Sequence, residues 1–239
     1  MPGTSLLMKK YRHIFFDLDN TLWDFNYNSV ETLRELFSQW VSHRVQASDD
    51  EFMGVYEKIN HALWERYRRG EVSREEVAVK RFANTLKHFG LEDDALSATL
   101  SEAYIRRSPR KTRLVNGAEE VLEILRHRFH LHIITNGFME VQIPKIEFSG
   151  LGGYFETITI SEECGCLKPC RKIFEFALGK AGAVADESLM VGDDPEGDIK
   201  GAREAGMDAI FYNISGAAAP PEALHSIKDL RELLLILTQ

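Results

Sequence analysis

The chain has 239 residues, of which 44% are hydrophobic, and a formal net charge of −8. This length accommodates a core domain with an inserted smaller one, and the hydrophobic fraction excludes a largely disordered chain. The negative charge argues against a protein that binds nucleic acid polymers through their phosphates, although a cation and a lysine can reverse the field inside one pocket.

The first part of the chain predicts a strand followed by a helical insertion. Tyr11–Phe16 is a β-rich run that ends in the polar segment 17–21. From about Asn28 to Arg107 apolar residues recur at helical spacing, which predicts about four helices. The predicted helix starts and stops are Ser48, Ser73, Asp93, Gly70 and Gly90.

After Pro109 strands and helices alternate, as in a parallel sheet with crossover helices. The predicted strands are Leu131–Thr135, Thr157–Ile160, Leu189–Val191 and Ala209–Tyr212. The predicted helices are Ala118–Arg126, a helix from Met139 that contains Pro144, Lys172–Ala181, Ile199–Ala205 and Leu224–Leu237. The fold class is therefore α/β: a doubly wound, parallel, five-stranded, Rossmann-like sheet made of residues 1–26 and 112–239, with an all-helical insertion at 27–111.

Ligands of such sheets bind at the carboxyl ends of the strands, so the polar residues there are the candidate site. Asp17 and Asp19 follow the first strand. Two close carboxylates repel each other and invite a shared proton or a divalent cation, and magnesium suits an oxygen-only site. Asp-x-Asp is also common turn and helix-cap chemistry, so this pair does not identify a site by itself.

The next two strand ends carry groups that suit a phosphate. Thr135, Asn136 and Gly137 offer a hydroxyl and closely approachable backbone amides, and Lys168 offers a compact positive charge. Each has an ordinary alternative, because Thr is a common strand residue, Asn-Gly a common turn, and most lysines are solvated on the surface.

The end of the fourth strand is densely acidic. Asp193 emerges directly from the apolar run 189–191, and Asp194, Glu196 and Asp198 follow within five residues. A solvated acidic turn with Asp198 as a helix cap is the alternative to a metal site. It accounts for Asp198 better than for Asp193.

The cysteines and the N-terminus indicate location rather than chemistry. The odd cysteine count, Cys164, Cys166 and Cys170, argues against a disulfide framework, and a zinc site would need a fourth ligand that is not obvious nearby. The N-terminus puts its positive charge after a short apolar run, unlike an export signal, and no stretch is apolar enough to span a bilayer. We expect a cytoplasmic protein without a membrane partner.

Taken in order, segments 17–21, 135–137, 168–169 and 192–198 resemble the four motifs of the haloacid dehalogenase-like hydrolase superfamily. The resemblance covers the whole chain, and it implies that the helical insertion is a cap on a catalytic core. Within the superfamily the chain is most similar to the bacterial pyrimidine 5′-nucleotidase branch. That similarity rests on Leu63, Trp64, Tyr67 and Gly70 and on the runs 134–138 and 160–163.

The resemblance implies a role for each candidate residue. Asp17 would be the nucleophile that forms an aspartyl-phosphate, and Asp19 the general acid and base. Mg²⁺ would be held by Asp17, the Asp19 backbone carbonyl and Asp193, with Asp198 supporting the metal indirectly. Thr135, Asn136 through its backbone, and Lys168 would hold the phosphoryl oxygens.

The expected substrate is a small phosphate monoester, a nucleoside 5′-monophosphate first. A sugar-phosphate or phosphoglycolate phosphatase, a phosphomutase, a haloacid dehalogenase and a non-catalytic binding module are the alternatives. Asp194 departs from the family pattern, which has a small hydroxyl residue there. Candidates for stacking on a base are Trp23, Phe25, Tyr27, Trp64, Tyr67 and Phe138, although ordinary packing accounts for each equally well. We expect a monomer or a small homo-oligomer.

Overall fold

The computed structural model describes residues 11–237, which form two compact units. One unit is Phe25–Thr112, and the other combines the residues up to Asp24 with those from Arg113 onward. The N-terminal segment that bears on export lies outside the described residues. Within residues 11–237 no helix combines the length and apolarity needed to cross a membrane.

The unit Phe25–Thr112 is all helical. Its four α-helices are α1 (Phe25–Leu36), α2 (Asp49–Arg68), α3 (Arg74–His88) and α4 (Asp94–Arg107). A π-helical stretch, Phe37–Val41, continues α1, and a 3₁₀ turn, Ser108–Arg110, follows α4. Their apolar faces meet in one core. Its largest members are Phe37, Phe52, Tyr56, Phe82 and Tyr104.

The predicted helix starts are confirmed by their capping hydrogen bonds. The hydroxyls of Ser48 and Ser73 each accept a hydrogen bond from the backbone amide three residues later, 3.2 Å away, and a glutamate at that position returns the bond. Asp93 caps α4 in the same way, at 2.8 Å. Gly70 and Gly90, just beyond α2 and α3, have φ of +70° and +77°, as C-terminal glycines do.

The second unit is built on a parallel sheet. The strands are β1 (His13–Phe16), β2 (His130–Thr135), β3 (Thr157–Ile160), β4 (Ser188–Gly192), β5 (Asp208–Tyr212) and β6 (His225–Ile227). Their order is β3-β2-β1-β4-β5-β6, and every pair is parallel. The five predicted strands and the doubly wound topology are confirmed.

Among the described residues, six α-helices accompany this sheet. They are α5 (Ala118–Leu125), α6 (Met139–Phe148), α7 (Ser161–Cys164), α8 (Arg171–Ala181), α9 (Gly201–Glu204) and α10 (Glu232–Leu237). Every residue of β1 and β4 is buried, because neighbours pair with both edges of these strands and helices pack on their faces. One core cluster joins Phe15 and Met190 of the sheet to Ile173 and Phe174 of α8.

In residues 11–237 the sheet has one strand more than the five that were predicted. Residues 225–227 form β6, where a helix was predicted from Leu224, and α10 begins only at Glu232. Only Ile227 of the three strand residues is buried, so the strand has almost no apolar pattern. Between strand and helix the Glu232 carboxylate accepts hydrogen bonds from the amides of Lys228 and Asp229, which occupies backbone groups that a longer helix would need.

The strand order places a topological switch point between β1 and β4. From β1 the chain moves outward through β2 and β3 on one side, and it returns through β4, β5 and β6 on the other. Helices therefore leave these two neighbouring strands in opposite directions, and a crevice opens at their carboxyl ends. Asp17 and Asp193 are the first residues after those two strands.

Substitutions in β6 test the added strand. We expect Ile227→Ala to lower the free energy of unfolding by about 2–5 kcal/mol, because Ile227 is fully buried beside Tyr212 of β5. The matched control is Ser226→Ala, at an exposed position of the same strand, with an effect within about 0.5 kcal/mol. Denaturant unfolding measures both, and equally small effects would contradict the pairing.

Candidate active site

The residue after β1 is fixed to its neighbouring strand. The amide of Asp17 donates to the carbonyl of Val191 in β4 at 2.9 Å, so the β ladder extends one residue beyond β1. The Asp17 side chain is buried, and its Oδ1 lies 2.6 Å from the ammonium of Lys168. The predicted nucleophile and the predicted phosphate-binding lysine are therefore in direct contact.

Lys168 connects three strand ends. Its ammonium, 3% exposed, donates to Asp17 Oδ1 at 2.6 Å, to Asp198 Oδ1 at 2.6 Å and to the Ile134 carbonyl at 3.0 Å. An ammonium has three hydrogens, so each hydrogen has an acceptor. Asp17 follows β1, Asp198 follows β4, and Ile134 lies in β2. The lysine therefore contacts residues in or after three strands at one point.

The Asn136 side chain holds the Lys168 backbone. Its Oδ1 accepts from the Lys168 amide at 2.7 Å, and its Nδ2 donates to the Lys168 carbonyl at 3.0 Å. These paired bonds fix the loop that presents the lysine. The predicted contact between Asn136 and a phosphate is consequently left to the backbone of Asn136, and it stays a prediction.

Three carboxylates converge beside the lysine. Within the described part of the chain, Asp17, Asp193 and Asp198 are the one group of three or more His, Cys, Asp or Glu residues whose ligand atoms all lie within 4.8 Å of one another. Gly192 makes room for this arrangement, because a Cβ there would lie 2.1 Å from Asp198 Oδ2. The donor set is oxygen only, and Mg²⁺ prefers oxygen ligands.

The electrostatics of this group favour a bound cation. Burial raises the pKa of Asp17 to about 7, and this effect is larger than the opposing effect of the Lys168 charge. Burial, with the charges of Asp17 and Asp198, also raises the pKa of Asp193. Burial disfavours the charged form of Lys168, but the charges of Asp17 and Asp198 more than offset this, so its pKa is raised. When all three carboxylates are ionised, they exceed the one ammonium by two negative charges, which a divalent cation would neutralise.

Asp198 and Asp194 have different tasks in the acidic loop. Asp198 is fully buried, and its two oxygens accept from the Lys168 ammonium and from the Asp194 amide. Asp194, rather than Asp198, is the helix cap: its Oδ1 accepts from the amides of Glu196 and Gly197 at 3.1 and 3.0 Å. The departure from the family pattern thus caps the π-helical turn Pro195–Lys200.

Asp19 and Thr135 form the other side of the site. Asp19 accepts from the Gln142 amide at 3.0 Å and from the Lys145 ammonium at 2.6 Å, and Gln142 also donates to Thr135 Oγ1 at 2.6 Å. Sequence reasoning missed Gln142 and Lys145, because a glutamine and a lysine on a helix are ordinarily surface residues. The available signal was their spacing of three residues in the helix that follows Thr135-Asn136-Gly137.

The aromatic candidates and the cysteines take several positions. Trp23 and Phe138 are buried, whereas Tyr27 is 46% exposed. Trp64 and Tyr67 meet edge to face and pack beside a small apolar cluster of Leu63, Val72 and Val77. Cys164, Cys166 and Cys170 are unbridged, and Cys164 Sγ lies 3.6 Å from Cys166 Sγ.

Known proteins are similar to this chain in sequence and in fold. A family model described as haloacid dehalogenase-like hydrolase matches residues 11–206. YfnB of Bacillus subtilis, a HAD-hydrolase by name, is 33% identical over 233 residues, which is 96% of this chain and 97% of YfnB. A crystal structure of YfnB bound to magnesium aligns with a TM-score of 0.86 at 32% identity, covering 97% of this chain and 100% of that one.

Two pyrimidine 5′-nucleotidases are similar over almost their whole length. YjjG of Escherichia coli is 33% identical, covering 94% of this chain and 98% of YjjG. PynA of Streptococcus pneumoniae is 32% identical, covering 94% of this chain and 95% of PynA. The family model and these relatives agree with the strand-end motifs and with the sheet that brings them together, so the chain belongs to the haloacid dehalogenase-like hydrolase family.

Proposed function

We propose that this chain is a magnesium-dependent phosphatase that hydrolyses small phosphate monoesters through an aspartyl-phosphate on Asp17. The observation that carries the proposal is the buried contact of 2.6 Å between Lys168 Nζ and Asp17 Oδ1 at the switch point of the sheet. A phosphate dianion repels a bare carboxylate, and a fixed positive charge beside the nucleophile reduces that repulsion. The phosphatase names of its relatives support the same chemistry.

The first step transfers the phosphoryl group to the protein. A carboxylate oxygen of Asp17 attacks phosphorus, and the bond from phosphorus to the ester oxygen breaks. The leaving oxygen takes a proton from Asp19, so the alcohol departs neutral. Lys168 fixes Asp17 Oδ1, and Oδ2 has no hydrogen-bond partner among residues 11–237. We assign the attack to Oδ2.

The second step releases phosphate. Asp19, now a carboxylate, removes a proton from water, the water oxygen attacks phosphorus, and the bond to the Asp17 oxygen breaks. Inorganic phosphate leaves and both aspartates return to their starting states. Through both steps the Thr135 hydroxyl is proposed to donate to a phosphoryl oxygen, and the Lys168 ammonium, whose three hydrogens have acceptors in the protein, is proposed to hold the phosphoryl group through its charge.

Asp17, Asp193 and the Asp19 backbone carbonyl would hold the magnesium ion. When bound, the ion supplies positive charge against the carboxylates and the phosphate. The convergence of Asp17 and Asp193 with Asp198, and the excess negative charge there, support this assignment. Asp198 fits an indirect role, because both of its oxygens already accept hydrogen bonds from protein groups.

The proposed substrate is a nucleoside 5′-monophosphate, and first a pyrimidine nucleotide. The two nucleotidase relatives support it, since they cover nearly the whole chain. Asp19 argues against dehalogenation, because a halide leaves without a proton and needs no acid at that position. A sugar phosphate would use the same reacting groups, so a comparison of substrates in an activity assay has to distinguish the two.

Removing the nucleophile tests the proposed chemistry. We expect Asp17→Asn to lower turnover on the order of 10⁴-fold or more, because a neutral amide cannot form the aspartyl-phosphate. Asp186→Asn, at an exposed position of the same unit, is the matched control and should keep wild-type turnover. Phosphate release measures activity, and circular dichroism checks the fold. Near-normal turnover in folded Asp17→Asn would remove Asp17 from this role.

A phosphate-release screen tests the metal and the substrate together. It compares pyrimidine and purine nucleoside monophosphates, sugar phosphates and phosphoglycolate, each in magnesium and in excess chelator. We expect the highest kcat/KM with a pyrimidine nucleotide, loss of activity in chelator, and recovery when magnesium is restored. Unchanged rates in chelator would contradict the metal site. A preference for a sugar phosphate would overturn the nucleotide assignment alone.

A further inference from the structure

Helix α6 buries two polar side chains that the proposed mechanism does not use. Gln142 is 0% exposed and Lys145 is 2% exposed, and they lie three residues apart on one face of the helix. A buried amide, and even more a buried ammonium, destabilises a protein unless it is hydrogen-bonded. Their partners therefore indicate why they are buried.

The Gln142 amide joins the two residues that flank the reacting group. Its Nε2 donates one hydrogen to Asp19 Oδ2 at 3.0 Å and the other to Thr135 Oγ1 at 2.6 Å. Its Oε1 is buried without a hydrogen-bond partner among the described residues. The reversed amide would place Oε1 against the Asp19 carboxylate, so the two acceptors determine its orientation.

This amide also directs the Thr135 hydroxyl. Because Thr135 Oγ1 accepts from Gln142, and more distantly from the Gly137 amide at 3.4 Å, its own hydrogen is available for another acceptor. A phosphoryl oxygen is such an acceptor. The absence of a side chain at Gly137 allows this arrangement, because a Cβ there would lie 2.2 Å from the Gln142 side chain.

Lys145 provides the second contact from α6 to the Asp19 carboxylate. Its ammonium lies 2.6 Å from Asp19 Oδ1 and 4.4 Å from the centre of the buried Trp23 ring. Each Asp19 oxygen thus has a donor on α6, and two donors fix the plane of the carboxylate. The Lys145 side chain is 3% exposed whereas that of Asp19 is 29% exposed, so the open side of Asp19 faces away from its two donors.

We propose that Gln142 and Lys145 are positioning residues that hold the Asp19 carboxylate in place to remove a proton from water, while Gln142 turns the Thr135 hydroxyl toward the phosphoryl group. The inference rests on the proposed function, because it assigns a geometry to the acid and base named there. Both donors form hydrogen bonds that favour the ionised carboxylate of Asp19, which is the form that acts in the second step. Loss of either donor therefore slows hydrolysis of the aspartyl-phosphate more than its formation.

Rapid-mixing kinetics with p-nitrophenyl phosphate separates the two steps. Nitrophenolate departs without help from an acid, so the phosphoenzyme forms even when Asp19 is misplaced. We expect Lys145→Met to show a burst of nearly one nitrophenolate per enzyme, followed by steady turnover about 10- to 100-fold slower than wild type. Gln142→Leu should show the same burst and also a raised KM, because the Thr135 hydroxyl loses its orientation.

Three further variants serve as controls for this experiment. Lys145→Arg keeps a cation and should restore part of the steady rate, and Lys172→Met, at an exposed lysine of α8, should behave as wild type. Asp19→Asn should give the burst by itself, because it removes the base.

The outcomes separate the inference from the proposed function. Slow turnover of Lys145→Met without a burst and without recovery in Lys145→Arg would reduce Lys145 to a structural role and overturn the inference. Wild-type kinetics in Lys145→Met beside a burst in Asp19→Asn would also overturn it, and would leave the proposed function intact. Wild-type kinetics in Asp19→Asn would instead overturn the proposed role of Asp19.

Discussion

The ammonium of Lys168, held between Asp17 and Asp198, is the interaction on which the rest of this site depends. A buried charge is tolerated only with partners of opposite charge, and removing one partner of a buried pair typically costs about 3–5 kcal/mol. Here the partners come from elements that are far apart in the chain, since Asp17 and Lys168 are separated by 151 positions. Their contact therefore requires that β1, β2 and β4, which carry or precede the partners of the lysine, lie side by side in the sheet.

Residues around this ammonium fix the lysine, Asp198 and Asp19 in place. Asn136 fixes the backbone of the lysine, Gly192 leaves space for Asp198, and α6 holds Asp19 through Gln142 and Lys145. The contacts of Asn136 and of α6 each join the segments that follow two different strands, and that of Gly192 lies within the segment after β4. The carboxyl edge of the sheet is thus a connected polar network around a group with excess negative charge, and a phosphatase would need such a group to bind magnesium.

The sequence predicted the five longer strands well, because parallel strands with buried faces are continuous apolar runs such as Leu189–Val191. It also predicted the helix starts at Ser48, Ser73 and Asp93, where capping is local chemistry. It missed β6, whose single buried residue, Ile227, gives no periodic signal. A short edge strand depends on its neighbour β5 rather than on its own sequence.

In the candidate site, too, residues with a local sequence pattern could be predicted and residues that depend on three-dimensional packing could not. Asp17 and Asp193 could be predicted because they follow the apolar strands β1 and β4, and Lys168 because it lies in the segment between β3 and β4, at the edge where a sheet of this topology opens its crevice. Gln142 and Lys145 could not, since only three-dimensional packing turns their side chains toward Asp19 and Thr135. The role of Asp194 could not be predicted either, because Asp194 and Asp198 are both plausible helix caps in sequence. The hydrogen bonds of Asp194 and the burial of Asp198 distinguish them in the structure.

Chemical trapping of the covalent intermediate determines whether Asp17 carries the phosphoryl group during turnover. An acid quench during turnover, followed by borohydride reduction and peptide mass spectrometry, converts an aspartyl-phosphate into homoserine at the position that carried it. We expect homoserine at position 17, and only when substrate is present. Unmodified Asp17 during phosphate release, or homoserine at another aspartate, would contradict it.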